Sequence, residues 1–330
     1  MKIDFYSAKP YDISFFEGMN TQYHHELIFH EYSLNEETVK HVENTRCICV
    51  FVNDKLNATV LEKLYNKGIR LIALRCAGFN NIDIAAADKL GITVVRVPAY
   101  SPESVAEHAV TLMLSLSRHV HKAYNRVRES NFSLQGLLGF ELHHATVGIV
   151  GTGQIGTALA KILTGFGSKV IAYDPSPSDE CISIGVQYVD FKSLCQQADV
   201  ISLHCPLTPD THHLINNKTL KNMKENVMLI NTSRGAVIDS KAAIDSLKNK
   251  HVGYLGLDVY EQEENLFFQD LSDQIISDDV FERLLTFPNV LITAHQGFFT
   301  DEALRNIAET TLNNIQRFEN NSECLHCCHI

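Results

Sequence analysis

Arg234 stands just past the apolar run Met228-Leu229-Ile230-Asn231 and directly before Gly235. A guanidinium at a strand tip grips a carboxylate with two parallel N–H···O bonds, and strand tips are where open α/β sheets bind ligands. On those residues alone it also fits a surface arginine that caps the next helix. His295 closes a second apolar run, Val290-Leu291-Ile292-Thr293-Ala294. Imidazole gives and takes a proton near neutrality, its ordinary pKa being about 6.5. Among 16 histidines this one stands out only through a partner. Glu263 follows Asp258-Val259-Tyr260 in the acidic stretch Glu261-Gln262-Glu263-Glu264. A carboxylate against the imidazole would favour its charged form, although charge pattern alone reads the stretch as a solvated face. A cation for a carboxylate and an acid for a carbonyl oxygen are what a protein adds to hydride transfer onto a 2-keto acid.

The run Val147-Gly148-Ile149-Val150-Gly151-Thr152-Gly153-Gln154-Ile155-Gly156 sets G-x-G-x-x-G between an apolar strand and a helix. Gly151 permits a tight turn, and Gly153 lets the backbone approach a pyrophosphate. Gly156 lets the helix pack on the strand, and the helix start at Gln154 and Ile155 offers N–H groups to the anion. The next strand, Lys169-Val170-Ile171-Ala172-Tyr173, ends in Asp174, 18 residues past Gly156. A carboxylate there accepts hydrogen bonds from the adenosine ribose and repels a 2′-phosphate, which predicts NAD over NADP. The bland alternative is a glycine-rich turn followed by a surface aspartate.

The elements that position these groups alternate. Ile3–Ser7, Leu27–Tyr32, Cys47–Val52, Leu71–Cys76 and Thr93–Val97 read as strands, with helices over Asn35–Val42, Asn57–Tyr65 and Asn81–Leu90. Such alternation implies a parallel sheet covered on both faces. Ser101 and Pro102 suit a helix start. The helix they open carries Val105, His108, Ala109, Leu112, Met113 and Leu116 at helical spacing. Its apolar face fits either a domain interface or a twofold subunit interface. A second series has strands at Thr146–Val150, Lys169–Tyr173, Val200–His204, Met228–Asn231, Tyr254–Val259 and Val290–Thr293, as a doubly wound nucleotide-binding sheet requires. The last helix, near Glu302–Phe318, has no strand after it and is expected to return to the first domain. The predicted fold is α/β: two doubly wound parallel-sheet domains, a flavodoxin-like substrate domain over 1–100 and 299–330 and a Rossmann NAD-binding domain over 101–298, with an active-site cleft between them.

The chain has 330 residues, too many for one ordinary core. Its net charge of −11 argues against nucleic acid and anionic membranes as partners. No apolar run reaches the roughly 18 residues that span a bilayer, and the start Met1-Lys2-Ile3-Asp4-Phe5-Tyr6 reads as a strand rather than a signal peptide. Nine cysteines, an odd number, fit reduced thiols in a cytoplasm. The tail Cys324-Leu325-His326-Cys327-Cys328-His329 lacks the second ligand pair a structural zinc needs, so it reads as a frayed terminus and no metal is expected.

With these motifs in order, the chain resembles the D-isomer-specific 2-hydroxyacid dehydrogenases over nearly its whole length, and within them the fermentative D-lactate branch. The carriers are Val147–Gly156 with Asp174, Asn231-Thr232-Ser233-Arg234-Gly235, Asp258-Val259-Tyr260-Glu261-Gln262-Glu263, and Pro288-Asn289-Val290 leading to His295. The resemblance implies that Arg234 binds the substrate carboxylate, His295 is the acid/base and Glu263 hydrogen-bonds it. It places His204, Cys205, Pro206, Thr211, Thr232, Ser233 and Asp258 around NAD, with Asp258 toward the nicotinamide amide. It gives Ala77 and Gly78 backbone N–H groups for the substrate carboxylate.

Two features favour the lactate branch: the run Gln296-Gly297-Phe298-Phe299-Thr300 after His295, and the long segment from Glu264 to Phe281. Phe298 or Phe299, with Tyr100, would wall a methyl-sized side chain, unless these aromatics are ordinary core. Apolar walls discriminate by only about 1–3 kcal/mol per methylene, so pyruvate is the expected substrate and longer 2-keto acids are tolerated. The alternatives are another 2-hydroxyacid dehydrogenase, acting on a longer-chain keto acid, glyoxylate or hydroxypyruvate, and an NAD-sensing corepressor-like scaffold. The resemblance implies a homodimer or homotetramer.

Overall fold

The structure, a computed structural model, describes residues 1–328; His329 of the tail lies outside the described residues. The chain divides into two compact units, Met1–Ser101 with Phe298–Ile330, and Pro102–Gly297.

The first unit holds one parallel sheet of β1 (Lys2–Phe5), β2 (Glu26–Phe29), β3 (Cys47–Val50), β4 (Leu71–Leu74) and β5 (Thr93–Arg96), in the order β2-β1-β3-β4-β5. Every residue of β3 and β4 is buried, so these strands read as unbroken apolar runs. The helix Asp301–Glu319 returns to this unit and packs on the helix Pro10–Asn20 and on β4 and β5. The helix Pro10–Asn20 escaped sequence reading because only Asp12 and Phe16 of it are buried. The helix expected over Asn35–Val42 is a single 3₁₀ turn, Val39–His41. Local side chains compete with helical bonding there: Asn35 Oδ1 accepts from the N–H groups of Glu37 and Thr38, and the Thr38 hydroxyl donates to the Ser33 carbonyl.

The second unit holds seven parallel strands: β6 (Thr146–Val150), β7 (Lys169–Tyr173), β8 (Gln187–Tyr188), β9 (Val200–Leu203), β10 (Val227–Asn231), β11 (Val252–Leu257) and β12 (Val290–Ile292). Their order is β12-β11-β10-β9-β6-β7-β8, the doubly wound arrangement with its reversal between β9 and β6. The two-residue β8 is too short to leave a sequence pattern. The helix opened by Pro102 runs to Ser117. It packs on the helix Gln154–Gly165 and on β10, β11 and β12. Ala109, Leu112, Met113 and Leu116 therefore belong to the buried core of this unit, which corrects the expectation that this stripe is an interface face.

The tail also departs from expectation. Cys324 and Cys327 form a disulfide, so the chain does not hold nine reduced thiols, and the tail as far as Cys328 is not frayed: Cys327 pairs with Val95 of β5. The pair stands on a turn that brings its Cα atoms to 5.7 Å, inside the usual disulfide range. Among the described residues no helix is long and apolar enough to cross a membrane.

Candidate active site

In the second unit the candidate groups share one edge of one sheet. Parallel pairing sets Asn231 beside Leu257 and Leu257 beside Ile292, so β10, β11 and β12 end together. The backbone then continues the ladder: Asp258 N–H donates to the Asn231 carbonyl (2.9 Å), and His295 N–H donates to the Asp258 carbonyl (2.7 Å). Arg234, Asp258 and His295 thus sit on neighbouring strand tips.

His295 and Glu263 meet as expected, with Nδ1 2.8 Å from Glu263 Oε1. The other carboxylate oxygen accepts from the Tyr260 N–H at 2.9 Å, so the carboxylate cannot rotate away. His295 has φ +54, an unfavourable region for a residue with a Cβ, and the turn that imposes it is held from below by Asp258. Asp258 Oδ1 accepts from the Thr293 hydroxyl (2.6 Å) and the Gln296 N–H (2.9 Å), and Oδ2 accepts from the Gly297 N–H (2.8 Å). His108 Nε2 lies 3.2 Å from Asp258 Oδ1 and 3.0 Å from Thr293 Oγ1. Burial pushes the Asp258 carboxyl up, but its bonds to His108 and Thr293, the His108 charge and the Gln296 N–H outweigh this and hold it at about 2. Asp258 is therefore an ionised anchor under the His295 turn, with both oxygens engaged.

Arg234 is half-buried and its Nη1 donates to the Ser233 carbonyl at 2.7 Å. Asn231 shapes the loop: its Oδ1 accepts from the Ser233 N–H and hydroxyl, and its Nδ2 donates to the Arg234 carbonyl. Gly235 follows because a Cβ there would collide with the Tyr260 carbonyl group.

The dinucleotide residues fit their expected group. Gly151 has φ +95, and a Cβ there would stand 2.8 Å from the Cys205 nitrogen. A Cβ on Gly156 would strike the Gly151 carbonyl oxygen, whereas the space before Gly153 is open. The helix that starts at Gln154 and Ile155 has Gly153 as its N-cap, so no side-chain cap competes for its first N–H groups. Thr232 Oγ1 and His204 Nδ1 are buried without a partner among the described residues, two polar atoms waiting for a ligand. Burial pushes His204 down to about 4, so its ring is neutral at pH 7. Cys205 is buried, Pro206 is exposed, and the Thr211 hydroxyl donates to the Pro206 carbonyl at 2.6 Å. Ser233 is half-buried at its loop. Asp174 accepts from the N–H groups of Thr152 (2.6 Å) and Ser176 (2.8 Å), which fixes it beside the glycine turn. Asp174→Ala is expected to cut the preference for NADH over NADPH by about tenfold or more. Comparing kcat/KM for the two nucleotides checks it, and unchanged discrimination would assign the choice elsewhere.

In the first unit, Ala77 and Gly78 are half-buried just past β4, and the Cys76 thiol donates to the Gly78 carbonyl at 3.2 Å. Phe298 is buried, 6.3 Å from the Tyr100 ring and 6.1 Å from the Phe51 ring. Phe299 is half exposed and packs edge-on against Tyr11 at 4.8 Å. Phe298 rather than Phe299 thus faces Tyr100. Beneath this loop lies Arg75, fully buried, which sequence reading missed. It donates to Asp12 Oδ1 (3.2 Å) and the Ser7 carbonyl (2.9 Å), and its guanidinium lies 4.9 Å from the Phe51 ring. Arg75→Met strands the buried Asp12 carboxylate and is expected to destabilise the protein by about 3–5 kcal/mol in urea unfolding. A loss below about 1 kcal/mol would mean that packing alone holds the loop.

His108 was equally illegible as an anchor, since it reads as one member of an apolar helix stripe. A further group unforeseen in the sequence is His212, His213 and Glu261, whose ligand atoms lie within 4.8 Å of one another. His213 Nε2 stands 2.6 Å from Glu261 Oε1, and His213 N–H donates to the Ala236 carbonyl, so the pair staples the loop that follows Arg234.

The family model described as D-isomer specific 2-hydroxyacid dehydrogenase, NAD binding domain, matches residues 110–297. The D-lactate dehydrogenase of Escherichia coli (strain K12) is 51% identical over 324 residues, covering 98% of each chain. The solved structure of the pyruvate reductase of Chlamydomonas reinhardtii aligns with TM-score 0.93 and 44% identity over 99% of this chain and 98% of that one. The NAD-complexed D-isomer specific 2-hydroxyacid dehydrogenase from Lactobacillus delbrueckii ssp. bulgaricus aligns with TM-score 0.84 and 30% identity, over 99% of this chain and 100% of that one.

Proposed function

The chain belongs to the D-isomer-specific 2-hydroxyacid dehydrogenase family, and from that premise we propose that it is an NAD-dependent D-lactate dehydrogenase that reduces pyruvate. The observation that carries the reading is the 2.8 Å contact of His295 with a fixed Glu263, on a strand tip one strand removed from that of Arg234 in the same sheet.

NADH, when bound, supplies the hydride that reduces C2. Gly151, Gly153 and Gly156 with the first turn at Gln154 and Ile155 would hold its pyrophosphate, and Asp174 would hold its ribose. Arg234 holds the substrate carboxylate through its planar fork. Glu263 fixes the His295 ring through Nδ1, and Nε2, on the far side of the ring, is the proton donor to the carbonyl oxygen. Proton delivery there neutralises the oxygen as hydride arrives, and it runs backward for oxidation. Ala77 and Gly78 add backbone N–H groups for the carboxylate, while Tyr100 and Phe298 limit the substrate's side chain. In this reading Met1–Ser101 with the segment from Phe298 is the substrate domain, Pro102–Gly297 is the cofactor domain, the enzyme is cytoplasmic, and it assembles as a homodimer or homotetramer.

Steady-state NADH oxidation with pyruvate, 2-ketobutyrate, a branched 2-keto acid, glyoxylate and hydroxypyruvate tests this. Pyruvate is expected to give the largest kcat/KM. A higher value for hydroxypyruvate or the branched acid would move the chain to another branch of the family, and no turnover with any would leave a nucleotide-sensing scaffold.

A further inference from the structure

We propose that Cys324 and Cys327 form an exchange site for low-molecular-weight thiols and disulfides, and that its redox state sets the order of the Ala77–Phe79 loop. The two cysteines stand in a C-x-x-C spacing and are joined in a disulfide. Cys324 is exposed, as is Leu325 beside it (57%), so a thiolate can reach the Cys324 sulfur. The thiols of Cys47, Cys49, Cys181, Cys195, Cys205 and Cys328 are buried instead. Burial pushes Cys195 and Cys205 up to about 11, which keeps them protonated and poorly nucleophilic.

The disulfide shapes a segment that extends the first sheet. Arg96 N–H donates to the His326 carbonyl (3.1 Å) and Cys328 N–H donates to the Val94 carbonyl (2.9 Å). With the Val95–Cys327 bridge, these bonds lay the tail along β5, the edge strand. Asn314 ties both partners, donating to the Arg96 carbonyl (3.0 Å) while its Oδ1 lies 2.9 Å from His326 Nδ1. A cavity of about 370 Å³ is lined by Cys324, Leu325, Cys327 and Cys328 of the tail together with parts of β5 and of the helix Asp301–Glu319. The tail is held on β5 by these backbone bonds, and the covalent ring closes the turn from Cys324 to Cys327 that presents the His326 carbonyl to Arg96.

Arg96 is the link to the loop. Its backbone N–H holds the tail, its Nη1 donates to the Ala77 carbonyl at 2.8 Å, and its guanidinium lies 5.1 Å from the Phe79 ring. Under the proposed function Ala77 and Gly78 border the substrate carboxylate, and the kinetic part of this inference rests on that reading.

In the exchange, a thiolate of an added dithiol attacks Cys324 Sγ, and the Cys324–Cys327 bond breaks with its electron pair on Cys327. The second thiol of the reagent then displaces Cys324, leaving two cysteine thiols and one oxidised reagent disulfide. Two electrons and two protons pass to the protein.

The test compares the full-length enzyme treated with dithiothreitol and with glutathione disulfide. Mass spectrometry after alkylation should count two more alkylated cysteines in the reduced form, both in the tail. Hydrogen exchange should rise on reduction over 77–79 and 93–97. KM for pyruvate should rise about fivefold with kcat held, and reoxidation should reverse it. The double variant Cys324→Ser, Cys327→Ser should behave as the reduced enzyme under both treatments. Failure of the disulfide to form, unchanged exchange over 77–79 on reduction, or a KM shift that survives in the double variant would overturn the proposal. If the enzyme does not turn over pyruvate, the functional reading fails, and the alkylation and exchange arms still judge the tail.

Discussion

His295→Ala is expected to lower kcat for pyruvate reduction by about 10²–10⁴-fold, the range supplied by a positioned general acid, with NADH affinity nearly unchanged. The split follows from where the groups lie. The glycine turn and Asp174 end β6 and β7, whereas His295 follows β12 at the opposite edge of the sheet. The turn that carries His295 does not depend on its ring: Asp258 binds the Thr293 hydroxyl and the N–H groups of Gln296 and Gly297. Truncation therefore removes the proton donor and leaves the scaffold. Stopped-flow turnover together with NADH fluorescence titration separates the two effects. Near-normal kcat would remove His295 from the chemistry, and a matching loss of NADH affinity would make it a structural residue.

Arg234→Lys is expected to raise KM for pyruvate by about 10- to 100-fold, corresponding to the loss of one charge-assisted bond of about 1.5–3 kcal/mol. Lysine keeps the positive charge, so the change isolates geometry. An ammonium donates from one point, while the guanidinium offers two parallel N–H groups. The loop is shaped for the guanidinium: Asn231 holds the Ser233 and Arg234 backbone, and Gly235 packs against the Tyr260 carbonyl group with no room for a Cβ. Steady-state kinetics on the variant and the parent checks it, and an unaltered KM would show that Arg234 does not bind the carboxylate.

Much of this architecture is written in local pattern. β3, β4 and β10 are buried on both faces and so read as unbroken apolar runs, and the glycine turn combines its spacing with a strand before and an aspartate after. The pairing of His295 with Glu263 was legible only as two motifs whose juxtaposition the sheet order supplies. What escaped depends on contacts across long stretches of chain. Arg75 looks like one more basic residue until Asp12, far from it in sequence, is folded against it. Asp258 reads as a cofactor contact from its motif, yet its oxygens are taken up by a turn 35 to 39 residues later. The tail reads as loose because nothing in its composition reveals that β5 is an edge strand with hydrogen-bonding groups to spare.

The most direct measurement is the reduction of pyruvate by NADH carrying deuterium at nicotinamide C4, in the transferable position, with the lactate analysed by chiral chromatography and mass spectrometry. The D-isomer carrying one deuterium at C2 is the predicted product. L-lactate, or lactate without the label at C2, would contradict it.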